Sequence, residues 1–132
     1  MEVRSPALLP NILRLAAEKG ERSAIIGKVM VAQWRRSISI ECGPVDGPLA
    51  ALIFYPVEPK EFIMCGLFSS QAADHLTSIV RIGQLSVRRL AEDSGGEITC
   101  SVLPGKSPGY RLATMLGFST SKAGDREQIM RF

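Results

Sequence analysis

A chain of 132 residues with 45% hydrophobic and 22% charged residues has the balance of one folded domain, long enough to bury a core and too apolar to stay disordered. Its net charge of +3 is small, and Arg35-Arg36 and Arg88-Arg89 are the only local concentrations, which argues against a nucleic-acid partner; no apolar run approaches the roughly 20 residues that cross a bilayer. Three widely spaced cysteines, Cys42, Cys65 and Cys100, with no Cys-x-x-Cys, argue against a disulfide framework and a zinc site and make a reducing, cytoplasmic setting the expectation.

Val3 is placed in a short first strand. Ser5-Pro6 has the form of an N-cap followed by proline at the first helical position, and Leu9, Ile12, Leu13 and Ala16 recur at helical spacing up to Gly20. A second amphipathic helix is predicted from about Glu21 to Arg36, with Ile25, Ile26, Val29, Met30 and Trp34 on one side. The period then changes. Ser37 to Cys42 alternates as a half-buried strand, and the turn-rich Gly43-Pro44-Val45-Asp46-Gly47-Pro48 leads into an almost wholly apolar strand from Leu49 to Tyr55. Pro56-Val57-Glu58-Pro59 is predicted to turn the chain into another buried strand, Glu61 to Phe68.

Ser69-Ser70-Gln71 leads to a long helix predicted from Ala72 to Glu92, ended by Ser94-Gly95-Gly96. Glu97 to Leu103 is the next strand. After Pro104-Gly105-Lys106-Ser107-Pro108, a short helix from Tyr110 to Leu116 is closed by Gly117. Phe118–Ser121 and Arg126–Phe132 are predicted as two last strands. A long helix between two buried strands implies a parallel step between Glu61–Phe68 and Glu97–Leu103. The expected class is therefore mixed α/β (α+β), a single domain over residues 1–132 with a central mixed sheet of about six to seven strands flanked by four helices.

This element order resembles the GNAT superfamily of acyl-CoA N-acyltransferases. Val3-Arg4-Ser5-Pro6-Ala7 ahead of an amphipathic helix is similar to that family's opening segment. Lys106-Ser107-Pro108-Gly109-Tyr110-Arg111-Leu112-Ala113-Thr114-Met115-Leu116-Gly117-Phe118 is similar to its N-x-x-A-x-x-L-Y-x-x-L-G-F helix, with Leu-Gly-Phe the best match. The weak cofactor loop and the short chain also resemble compact GNAT-like proteins encoded by bacteriophages, some of them carried in the virion.

The resemblance implies acetyl-CoA as cofactor. Its pantetheine arm would lie where the strand Glu61–Phe68 parts from Glu97–Leu103, and its pyrophosphate on the N-terminus of the following helix, where free amides and the helix dipole favour anions. Gly66, Leu67, Phe68, Ser69, Gln71, Ala72, Ala73 and Lys106 are the cofactor-binding candidates. The family's phosphate loop reads Q/R-x-x-G-x-G/A; here Gln71 can stand at its first position, but Asp74 and Leu76 occupy the glycine positions. Asp74 is also a good helix-capping residue, so the loop can be expected to bind its own side chain. The family's general-acid tyrosine aligns with Ala113, and Tyr110, one helical turn earlier, is the available substitute. A base must be a carboxylate near the parted strands, Glu61 or Glu58, with His75 as a further choice. The implied activity is acetyl transfer from acetyl-CoA to an amine; the alternative is a catalytically silent GNAT-like structural or interaction protein, for instance a virion component. The expected partner is an amine substrate or a protein, within a homo-oligomer or larger assembly, in the cytoplasm of a host cell or in a virion.

Overall fold

The structure is a computed structural model that describes residues 1–18, 36–105 and 107–132. The second predicted helix and Lys106 lie outside the described residues. The described elements are β1 (Val3–Arg4), α1 (Leu9–Ala17), β2 (Ile38–Cys42), β3 (Ala50–Glu58), β4 (Glu61–Phe68), a 3-10 turn (Ala72–His75), α2 (Leu76–Ser94), β5 (Glu97–Val102), α3 (Pro108–Met115), β6 (Ser119–Ala123) and β7 (Gln128–Arg131). The strands make one mixed sheet in the order β1-β2-β3-β4-β5-β7-β6. The chain divides into two compact units, Met1–Tyr55 with Cys65–Ile79, and Pro56–Met64 with Val80–Phe132.

In the first unit, the alternation read in Ser37–Cys42 forms β2, which pairs antiparallel with β3 in the register Ser39–Ile53 and Glu41–Ala51. One face of these strands meets α1. Ile12, Leu15 and Ala16 pack with Ala7, Ala51, Ile53, Tyr55 and Leu67, and Ile12, Leu15 and Ile53 are wholly buried. Burying such side chains is worth about 1.5–3 kcal/mol each, which is what fixes a helix this short against the sheet.

The start of α1 differs from the sequence reading. Ser5 is not its N-cap and Pro6 is not its first residue; Leu8 holds the cap position and Pro10 lies in the first turn. Ser5 is spent elsewhere, its hydroxyl donating to the Ser39 carbonyl at 2.8 Å. Leucine has no side-chain acceptor and no side chain caps the helix amides; Glu41 of β2 instead accepts from the amide of Leu8 itself, as the glutamate of a capping box does. The same carboxylate accepts from Arg4 at 3.0 Å and from the Asn11 side chain at 2.9 Å. Strand β3 also runs further than predicted, through Pro56 and Val57 to Glu58, so that the turn shrinks to Pro59-Lys60, with Lys60 at φ +66°.

In the second unit, β4 and β5 pair in parallel, as predicted from the long helix between them, over Glu61–Glu97, Phe62–Ile98 and Ile63–Thr99. Strand β7 lies antiparallel to β5 and to β6, with an irregularity between Thr120 and Lys122. Ile98, Cys100 and Met130 are buried. Helix α3 begins on Ser107, whose hydroxyl accepts from the Tyr110 amide at 3.2 Å, with Pro108 in the first turn. It ends as read: Gly117 adopts φ +105°, and Phe118 turns inward, 3% exposed, against the Phe132 ring at 5.8 Å between centroids.

Candidate functional site

The stretch from Cys65 to Leu76 gathers seven of the eight residues expected to bind a cofactor, and all of it belongs to the first unit. Leu67 is in the core, 2% exposed, while Gly66 and Phe68 are half-buried. The backbone direction along β4 follows from two hydrogen bonds. The Lys60 carbonyl accepts from the Glu97 amide at 2.8 Å, and the Ser69 amide donates to the Leu49 carbonyl at 2.9 Å. Even-numbered residues of β4 therefore turn their amide and carbonyl toward the β5 edge, and odd-numbered ones toward β3. The parallel ladder ends at Ile63–Thr99, whereas β4 continues to Phe68. The next groups on that edge are the Met64 carbonyl and then the Gly66 amide and carbonyl. Gly66 needs to be small: a Cβ there would stand 2.8 Å from the Phe68 ring and 3.5 Å from Leu52.

The turn that follows is closed on itself. The Ser69 hydroxyl accepts from the Gln71 amide at 3.3 Å. The Ser69 carbonyl accepts from the Ala72 amide at 3.1 Å and the Gln71 carbonyl from the Asp74 amide at 3.2 Å. The predicted helix start at Ala72 is thus a 3-10 turn over Ala72–His75, and α2 proper begins at Leu76. The capping expected of Asp74 is not found: no side chain caps this turn, and the Ser69 hydroxyl serves only the Gln71 amide just ahead of it. Ala72 is buried, and Ala73, Asp74 and His75 are exposed.

The catalytic candidates lie in the second unit. Glu61 is exposed at the start of β4, in register with Glu97, which pairs with Arg131 at 3.5 Å. Tyr110 is half-buried on α3; its amide and carbonyl are engaged by Ser107 and Thr114. Glu58 is exposed at the end of β3. Among the described residues no cluster of His, Cys, Asp and Glu could hold a metal ion, and no helix is long and apolar enough to cross a membrane. Burial pushes the Cys100 thiol up to about 11 and raises Cys42 as well, which keeps both protonated and unreactive.

Sequence reasoning passed over Tyr55. Its ring belongs to the α1 core, 8% exposed, and its hydroxyl is buried without a partner. Burial, with the neighbouring Cys65 adding to it, raises its pKa well above the usual phenol range. An unpaired buried hydroxyl costs about 1 kcal/mol or more. Tyr55→Phe is therefore expected to leave stability unchanged or raise it by up to about 1 kcal/mol in urea unfolding; a loss of that size would reveal a hydrogen bond that the hydroxyl makes.

No family model and no curated protein matches this sequence. Solved structures match its fold. A spermidine N-acetyltransferase chimera of Vibrio cholerae SpeG and hSSAT superposes with a TM-score of 0.70 at 8% identity, covering 99% of this chain and 94% of that one. A protein of Desulfovibrio desulfuricans assigned to the GNAT acetyltransferases gives 0.65 at 14% identity, covering 99% and 97%. An acetyltransferase of Streptococcus agalactiae gives 0.64 at 10% identity, covering 98% and 96%. The fold is that of the GNAT N-acetyltransferases, as the element order implied.

The acetyl-CoA that this fold implies can be tested against the residues present. The edge of β4 at Gly66 suits the amide-bearing arm. The turn at Ser69–Asp74 does not suit the pyrophosphate: three of its amides are already bonded, and a carboxylate stands where a glycine would be.

Proposed function

We propose that this chain is an N-acyltransferase of the GNAT type that transfers an acetyl group from a thioester to an amine. What supports the reading is the β4–β5 ladder, which stops at Ile63–Thr99 while β4 goes on, leaving the Gly66 amide and carbonyl for an extended amide-bearing arm to pair with. In this reading Glu61 is the base for the acceptor amine and Tyr110 the acid, in place of the tyrosine that Ala113 replaces. The similarity to spermidine N-acetyltransferases suggests polyamines as the first acceptors to try.

Mixing the chain with acetyl-CoA or another acetyl thioester and a panel of polyamines and lysine peptides should release free thiol in proportion to acetylated amine. Glu61→Gln and Tyr110→Phe should each slow that release by about 100-fold or more. No release with any donor or acceptor contradicts the reading.

The closed turn at Ser69–Asp74 favours a second reading, a protein that keeps the fold and acts through interactions alone. Failure to bind any thioester would decide for it.

A further inference from the structure

We infer that the donor is recognised through its pantetheine arm and that the nucleotide half of coenzyme A contributes almost nothing to binding. The inference rests on the acyltransferase reading and narrows its donor to acyl-pantetheine thioesters as a class, acetyl-CoA being one member. An anion held at a helix start needs backbone amides that have no other acceptor, with the positive end of the dipole behind them. Here the Gln71 amide is held by the Ser69 hydroxyl, the Ala72 amide by the Ser69 carbonyl and the Asp74 amide by the Gln71 carbonyl. Freeing them for a phosphate means breaking three hydrogen bonds of the turn. The first turn is also 3-10 rather than α, so its dipoles are fewer and less well aligned.

Charge acts in the same direction. The exposed Asp74 lies in that turn, and the first arginine along the following helix is Arg81, seven residues on and about two turns away. Coulomb repulsion between a carboxylate and a pyrophosphate at contact, with surface screening, weakens binding about fivefold. The arm site shares none of these features. It uses the edge of β4, where Gly66 presents a donor and an acceptor past the end of the parallel ladder.

Isothermal titration of the full chain with acetyl-CoA, acetyl-pantetheine and ADP separates the two halves of the ligand. The two thioesters are expected to bind with affinities within about fivefold of each other, acetyl-CoA the weaker, and ADP is expected to give no heat. Asp74→Gly should raise affinity for acetyl-CoA about fivefold and leave that for acetyl-pantetheine unchanged. Acetyl-CoA binding ten or more times tighter than acetyl-pantetheine (about 1.4 kcal/mol), or ADP binding by itself, overturns the inference and leaves the acyltransferase reading standing. If neither thioester binds, both fall together.

Discussion

Glu41→Gln is expected to destabilise the protein by about 3 kcal/mol in urea unfolding, because a wholly buried carboxylate, 1% exposed, organises the N-terminal segment. Its oxygens accept from the Arg4 guanidinium, the Leu8 amide and the Asn11 side chain. The amide of glutamine has one acceptor oxygen and carries hydrogens where Arg4 and Asn11 donate. The Arg4 charge, 18% exposed and with its Nε already lacking a partner, would lose its buried counter-charge and keep the exposed Glu2 at 3.1 Å. The carboxylate that answers the Leu8 amide at the start of α1 would be lost with that counter-charge.

The same carboxylate gives the effect a pH signature. Burial by itself raises the Glu41 pKa, but the hydrogen bonds from Arg4, Leu8 and Asn11 and the Arg4 charge outweigh it and hold the carboxyl below its usual range. A group whose folded pKa is lowered contributes fully above its unfolded value, about 4.3, and loses that contribution as pH falls through the folded value. Wild-type stability should therefore drop more steeply with acid than that of Glu41→Gln. Parallel curves for the two proteins below pH 5 would show that the network stores no ionic stabilisation.

Gly96→Ala is the second large effect, expected to cost about 3 kcal/mol, while Gly95→Ala, its neighbour, costs about 1 kcal/mol. A Cβ on Gly96 would lie 2.1 Å from the Lys60 carbonyl oxygen, and that oxygen is held by the Glu97 amide at the first rung of the parallel ladder. Neither backbone can withdraw without breaking that rung. Gly95 adopts φ +62° but has open space around it, so alanine there meets only the left-handed backbone penalty. Equal costs at the two positions in parallel urea titrations would contradict the close approach that defines how β4 meets β5.

The contrast between these two sites shows what was legible in the chain. Gly95-Gly96 reads as a helix stop, and it is one; that only the second glycine touches another strand depends on Lys60, far away in sequence. Local signals worked where the physics is local. The alternation of Ser37–Cys42 formed β2, and Leu116-Gly117-Phe118 closed α3, which opens two residues earlier than Tyr110, on Ser107-Pro108. The long helix between two apolar strands foretold the parallel step. The start of α1 was misplaced because Ser5-Pro6 imitates a cap signal, while the cap position falls on Leu8, whose amide is held by a carboxylate on β2. Pro56 suggested a turn that β3 in fact runs through.

At the candidate site, the sequence has Asp74 where the resembling family's loop has glycine, but it does not tell how the turn satisfies itself. A serine hydroxyl reaching an amide two residues on is one of several arrangements that Ser69-Ser70-Gln71 permits, and the surrounding fold chooses among them.

Hydrogen exchange at the Gly66 amide, followed by NMR with and without saturating acetyl-pantetheine, reports whether the thioester's arm lies along β4. Exchange there should slow markedly on ligand addition as the arm pairs with the edge of β4. An unchanged rate at Gly66, with the thioester bound elsewhere or not at all, would contradict the account.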